Sequence, residues 1–195
     1  MYEVDMFHSR FFIIEDAVKH AEIMKVLNTI KKDTENLATV SSEPYGPTYK
    51  TNYTQKEVHG KLFNTTLKQL NDCLAKDNVS FELCGYPWYA EYGEYDYHEP
   101  HIHSSHCSIN DSPPYNTFKY SGIICLSDFG ETSFTNPNPT SFVGAIMTIP
   151  SEYNRVILFP SNIYHYVIPH GFRDQTRAIF SFNCELKLGS FNANI

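Results

Sequence analysis

Apolar positions along the chain change their period near residue 79. Before it, Val18, Ala21, Met24, Leu27 and Ile30 recur at three- and four-residue steps, which is one stripe of an amphipathic helix over 15–37. A second helix is predicted from Thr54, where Thr54 and Glu57 form a capping box. There the hydroxyl and the carboxylate satisfy orphan amides reciprocally. Val58, Leu62, Leu67, Leu70 and Leu74 then make its apolar face. Pro44, Gly46 and Pro47 place a loop between the two helices, and Phe11 to Ile14 reads as a short leading strand. After residue 79, β-formers come in short runs broken by Pro, Gly, Asn and Asp. Strands are predicted over 80–92, 98–104, 121–126, 132–135, 145–149, 156–159, 164–168 and 177–186. Such spacing predicts a barrel or sandwich rather than alternating βαβ units. The expectation is therefore an α+β, mainly β chain forming a single domain over 1–195. Residues 1–78 would be mainly helical and pack on a β-core over 79–195.

Composition narrows the class. With 195 residues, 42% hydrophobic, the chain can bury one substantial core. Fifteen Lys and Arg against 22 Asp and Glu leave a net charge of −7, which disfavours a nucleic-acid partner, since phosphate neutralisation needs a basic footprint. No apolar run approaches the roughly 18 residues of a membrane span. The first residues carry acid where a secretory leader needs basic charge. A soluble, cytoplasmic protein is expected. Its five cysteines, Cys73, Cys84, Cys107, Cys125 and Cys184, show no C-x-x-C spacing and read as reduced thiols in apolar surroundings.

Histidine is unevenly distributed. His98, His101, His103 and His106 fall within nine residues. Residues i and i+2 of a strand share a face, about 6.6 Å apart along the backbone. His101 and His103 can thus converge on one ion at roughly 2.1 Å each. Val156 to Phe159, then a Pro-Ser turn, lead to His165, which opens another strand. Arg177 follows twelve residues later, heading a strand that runs to Asn183 and beyond. A guanidinium there, if buried, needs a partner; a ligand carboxylate held bidentately by the planar fork would supply one.

In this order, His101-x-His103, His165 and Arg177, with Ser121-Gly122 and Gly130 to Phe134 between them, resemble the Fe(II)- and 2-oxoglutarate-dependent dioxygenases. The likeness is to the small prolyl-4-hydroxylase-like branch that includes phage and bacterial members, and it covers roughly residues 85–186. Tyr92 stands nine positions before His101, as that branch's tyrosine does before its first ligand. The resemblance implies a double-stranded β-helix (jelly roll) with Fe(II) at its mouth, held by His101, His103 and His165. It implies 2-oxoglutarate as cosubstrate, clamped at its far carboxylate by Arg177 with help from a hydroxyl such as Tyr120 or Ser181. With O₂, such an enzyme couples decarboxylation of 2-oxoglutarate to succinate with C–H oxidation of an amino-acid, peptide or small-molecule substrate.

The family's usual dyad is His-x-Asp/Glu, whereas position 103 is histidine. Three readings stand: a three-histidine site; a carboxylate from Glu99 or Asp96 in an altered register; or a site without catalytic iron. His170 reads as a loop residue and Arg173 as the runner-up anion anchor. His98 and His106 read as neighbours of the site or surface groups, and the Tyr86–Tyr97 aromatic run as packing or a pocket wall. Two alternatives in function remain, a cupin-type three-histidine dioxygenase without 2-oxoglutarate and a non-catalytic jelly-roll binding module.

Overall fold

A computed structural model describes residues 2–6, 9–32, 37–40, 48–51, 68–69, 71–72, 79–103, 117–136 and 145–188. Twelve strands and one helix are described in it. In chain order these are β1 (Tyr2–Met6), β2 (Ser9–Ile14), α1 (His20–Lys32), β3 (Leu37–Val40), β4 (Thr48–Thr51), β5 (Val79–Tyr92) and β6 (His98–His101). There follow β7 (Thr117–Cys125), β8 (Glu131–Thr135), β9 (Ile146–Pro150), β10 (Val156–Pro160), β11 (His165–Val167) and β12 (Arg177–Leu188). They form two antiparallel sheets. The larger runs β1-β2-β10-β7-β12-β5-β4-β3 and the smaller β6-β11-β8-β9.

Central strands of the larger sheet read as unbroken apolar runs because both of their faces are buried. Period-two alternation sends Phe11, Ile13, Ile123, Cys125, Ile157, Phe159 and Ile179 inward between the sheets, where they meet Phe134, Ile149, Ile163 and Val167. Their neighbours Phe12, Ile14, Ile124, Leu126, Val156, Leu158, Phe180 and Phe182 face the other way. That second layer is capped by Ala17, Val18 and Ile23, with Leu27 against it, so α1 covers the outer face; of the predicted stripe Val18 and Leu27 pack there, whereas Ala21 and Met24 are exposed and Ile23 takes their place. Gly122 sits opposite Phe182 in the β7–β12 register. A Cβ there would overlap the Phe182 ring, so only glycine lets the two strands pair at that point.

All eight predicted strands of the second half are present, within a few residues at their ends. The described residues of the first half hold four strands and one helix, and β1, β2, β3 and β4 all join the larger sheet, so strands stand there beside the helix that the apolar spacing predicts. Helix α1 starts at His20 rather than near Glu15. Ala17 N and Val18 N are held by Asn154, through its carbonyl oxygen (3.2 Å) and its side-chain oxygen (2.9 Å), and Asp16 turns at φ 50°. Leu37 belongs to β3, where it pairs with Thr51. The predicted second helix lies mostly outside the described residues. Residues 68–69 and 71–72 are helical, and the Asn71 side chain makes two hydrogen bonds to the Phe81 backbone, at 3.1 and 2.7 Å. No described helix is long and apolar enough to cross a membrane.

Candidate active site

Strands β6 and β11 pair antiparallel in the smaller sheet, and their register sets His165 directly opposite His101. Directly opposed residues hold their Cβ atoms within about 5.5 Å, so this pairing alone joins two histidines distant in sequence. His103 lies just past the end of β6. Its backbone N–H donates to Ser161 O at 2.9 Å, which keeps the chain extended and returns the side chain to the face of His101. The ring centroids stand 4.9 Å (His101–His103), 4.2 Å (His101–His165) and 4.9 Å (His103–His165) apart. One nitrogen from each ring lies within 4.8 Å of those of the other two.

Each ring has its Nδ1 against an oxygen acceptor. His101 Nδ1 meets Glu99 O at 2.8 Å, His103 Nδ1 meets Asn183 Oδ1 at 2.8 Å, and His165 Nδ1 meets Ile163 O at 3.1 Å. An oxygen acceptor requires Nδ1 to carry the hydrogen. Each Nε2 of a neutral ring is then left with its lone pair, which is how metal-ligating histidines are oriented. Burial and the neighbouring imidazoles His101 and His103 hold the pKa of His165 well below its ordinary value, so it stays neutral and able to ligate.

Arg177 opens β12 opposite Tyr92 of β5. It is among the largest fully buried side chains, 1% exposed. Its Nε donates to Ser151 Oγ at 3.0 Å and its Nη2 to Thr132 Oγ1 at 2.6 Å. Its guanidinium carbon lies 5.4 Å from the centroid of the Tyr92 ring. Its Nη1 is buried with no partner. Burial lowers the arginine's pKa and pushes the Tyr92 phenol up to about 12. Gly130, at φ 80°, makes room for the arginine stem, since a Cβ there would stand 2.6 Å from Arg177 Cδ.

A cavity open at its mouth joins the two features. His101, His103, His165 and Arg177 all line it, with Trp88, Tyr92, His98, Thr132, Tyr166 and Ser181 among the rest. Trp88, His101 and Tyr166 are half-buried and mark the mouth; the other polar lining groups are buried. No carboxylate is among the described lining residues. A cavity lined by a buried cation and by no described acid favours an anionic ligand.

Other predicted candidates fall elsewhere. Tyr120 does not line the cavity: its hydroxyl donates to Arg10 O at 3.2 Å. Alternation along β7 turns Ser121 inward and its neighbour Tyr120 to the outer layer, which corrects the expectation that Tyr120 helps hold the cosubstrate. Asp96 accepts the Gly93 N–H at 2.7 Å, and Glu99 serves through its backbone oxygen; neither carboxylate joins the metal-competent group. Arg173 is exposed beside Glu94, and His170 packs on Phe129 away from the cavity. His98 is buried and stacks on His101 at 3.9 Å, with its Nδ1 3.1 Å from the Tyr92 hydroxyl. His8, His59 and His106 lie outside the described residues.

Sequence reasoning missed Thr132, Ser151 and Asn183. For Asn183 there was a signal, a polar residue on the same face as Arg177 in an apolar strand; Ser151 offers none, because only the fold brings it to the guanidinium.

No family model matches the chain, and no curated protein does. Solved structures do. A prolyl-4-hydroxylase from Pseudomonas putida is 14% identical, with a TM-score of 0.56 over 92% of this chain and 93% of that one. The viral collagen prolyl hydroxylase of Paramecium bursaria Chlorella virus-1, in its 2-oxoglutarate complex, is 15% identical, with a TM-score of 0.54 over 90% and 95%. HygX from Streptomyces hygroscopicus, with nickel and 2-oxoglutarate bound, is 12% identical, with a TM-score of 0.60 over 93% and 83%. The fold is that of the 2-oxoglutarate/Fe(II) oxygenases. On this oxygenase fold the metal-competent group of the described residues is three histidines, with no aspartate or glutamate among them.

Proposed function

We propose that this protein is a 2-oxoglutarate- and Fe(II)-dependent dioxygenase that hydroxylates an amino-acid, peptide or small-molecule substrate, and that residues 1–195 act as one domain. A single observation carries the reading. Three histidines, each with Nδ1 against an oxygen acceptor and one nitrogen gathered within 4.8 Å of the other two, line the same cavity as a buried arginine whose Nη1 has no hydrogen-bond partner. The donor set fits the metal, because neutral imidazoles suit Fe(II) and their nitrogens are already gathered within 4.8 Å. A dianionic cosubstrate fits the charge, since three neutral ligands leave the ion at +2 and Arg177 adds one more.

His101, His103 and His165 would hold the ion. Arg177 Nη1, helped by the Thr132 or Ser181 hydroxyl of the same cavity, would grip the far carboxylate of 2-oxoglutarate and so orient the keto acid toward the histidines. The apolar walls Ile123, Phe159 and Ile179 keep water from the reacting groups. Fe(II), when bound, supplies the chemistry in which 2-oxoglutarate, O₂ and a substrate C–H bond yield succinate, CO₂ and the hydroxylated product. At the mouth, Trp88 and Tyr166 offer aromatic surface to a substrate.

Oxygen uptake and succinate release test this directly. Both should require Fe(II) and 2-oxoglutarate together. The all-histidine donor set favours one competing reading, a three-histidine dioxygenase that needs no keto acid; uptake that proceeds at full rate without 2-oxoglutarate would establish it instead.

A further inference from the structure

Asn183 has no part in the chemistry proposed above, yet it touches the one ligand at which this site departs from a carboxylate. Its Oδ1 accepts from His103 Nδ1 at 2.8 Å and from Ser121 Oγ at 3.0 Å. Ser121 Oγ in turn lies 3.0 Å from Ser161 Oγ, and Ser161 O accepts the His103 backbone N–H at 2.9 Å. Asn183 is 6% exposed, Ser121 1% and Ser161 1%, so water does not compete for these groups. Ring and backbone of His103 are thereby tied to one buried relay contributed by β7, β12 and the turn after β10.

The chemistry of position 103 explains what such a relay does. A carboxylate ligates with either oxygen and has no tautomers. An imidazole has two, and only the Nδ1–H form presents a lone pair at Nε2. His101 and His165 obtain that form from backbone carbonyls two residues away, which their strand geometry supplies. His103, lying past the end of β6, has a side chain for its acceptor, 80 residues distant. A side-chain acceptor must itself be oriented, and the Ser121 hydroxyl does this by donating to the same oxygen.

We infer that Asn183 is a positioning residue for metal binding, which selects the Nδ1–H tautomer of His103 and so makes a neutral histidine serve where a carboxylate would otherwise stand. The inference rests on the metal-site reading above, and its test separates the two. ¹⁵N NMR of histidine-labelled, metal-free protein should show His103 with a protonated Nδ1 and a bare Nε2. Mn(II) binding to Asn183→Leu, which keeps the shape and removes the acceptor, should weaken about 10- to 100-fold, as loss of partners to ligating histidines does elsewhere. Asn183→Asp restores an acceptor and should bring affinity back to within about threefold of wild type. Ser121→Ala, a smaller change, should weaken binding less than Asn183→Leu and serves as the test if the latter fails to fold. A His103 that carries its hydrogen on Nε2 in the wild type would overturn the inference, as would Asn183→Leu binding Mn(II) like wild type. Wild-type protein that binds no Mn(II) would instead overturn the metal-site reading itself.

Discussion

Replacing Arg177 by methionine separates the arginine's service to a ligand from its service to the fold. The native guanidinium makes two hydrogen bonds, to Ser151 and Thr132, and has a third nitrogen buried without a partner. Bonds from a charged donor contribute about 1.5–3 kcal/mol each, while keeping a charge out of water costs several kcal/mol. These oppose one another, so Arg177→Met should change the unfolding free energy of ligand-free protein by no more than about 2 kcal/mol, in either direction. Binding of 2-oxoglutarate has no such cancellation. Losing one charge-assisted bond to its carboxylate weakens binding by about 1.5–3 kcal/mol, roughly 10- to 150-fold. Mn(II) affinity should hold, because Arg177 touches none of the three histidines. Trp88 is the chain's single tryptophan, lines the cavity and lies 5.5 Å from the His103 ring. Its fluorescence therefore reports the site without a label, first in a Mn(II) titration and then in a 2-oxoglutarate titration of the loaded protein. Arg177→Lys retains the charge but not the fork, and should fall between wild type and methionine. Unchanged 2-oxoglutarate affinity in Arg177→Met, or loss of Mn(II) binding with cosubstrate affinity intact, would refute the role assigned to Arg177.

Gly130→Ala places a side chain at φ 80° and against Arg177 Cδ; it should lower stability by about 1–3 kcal/mol in urea unfolding and weaken 2-oxoglutarate binding as well. Tyr120→Phe removes a bond to Arg10 O outside the cavity. It should cost about 0.5–1.5 kcal/mol of stability while leaving 2-oxoglutarate affinity within about twofold, measured by the same titration. The depressed pKa of His165 predicts a pH effect on metal-free protein. Below about 6.5 the unfolded chain takes up a proton that the folded state refuses, so this stabilisation is complete above 6.5 and is lost as pH falls toward the folded pKa. Urea midpoints should drop from pH 7 to pH 5, with a contribution of up to about 1.4 kcal/mol per pH unit from this group; His165→Gln should flatten the slope, and an unchanged slope would assign the effect elsewhere.

Legibility of this protein in its sequence was uneven for reasons of distance. Strands from 79 onward were readable because alternation and turn residues are local signals, and because runs such as Val156 to Phe159, buried on both faces, leave no polar position to obscure them. His101 and His103 were readable as a pair because two-residue spacing on a strand has a fixed geometric meaning. Less was legible before residue 79. Helix α1 was legible as a helix, but its buried face centres on Ile23 rather than on Ala21 and Met24, and its true start depends on Asn154, 136 residues away, capturing Val18. Strands β1, β3 and β4 gave little notice, since each spans only four or five residues, too few to show a period.

By itself the sequence determined the material of the site: the histidine spacing, the late arginine, and a mainly β chain rich enough in apolar alternation to close on itself. Tertiary structure decided how these parts serve. The β6–β11 register set His165 opposite His101. The fold carried Asn183 to His103, and Ser151 with Thr132 to Arg177, while sending Tyr120 and the acids Asp96 and Glu99 to other duties. Local periodicity constrains which way a side chain points, but which partner waits there depends on strands that are distant along the chain, and only packing brings those together.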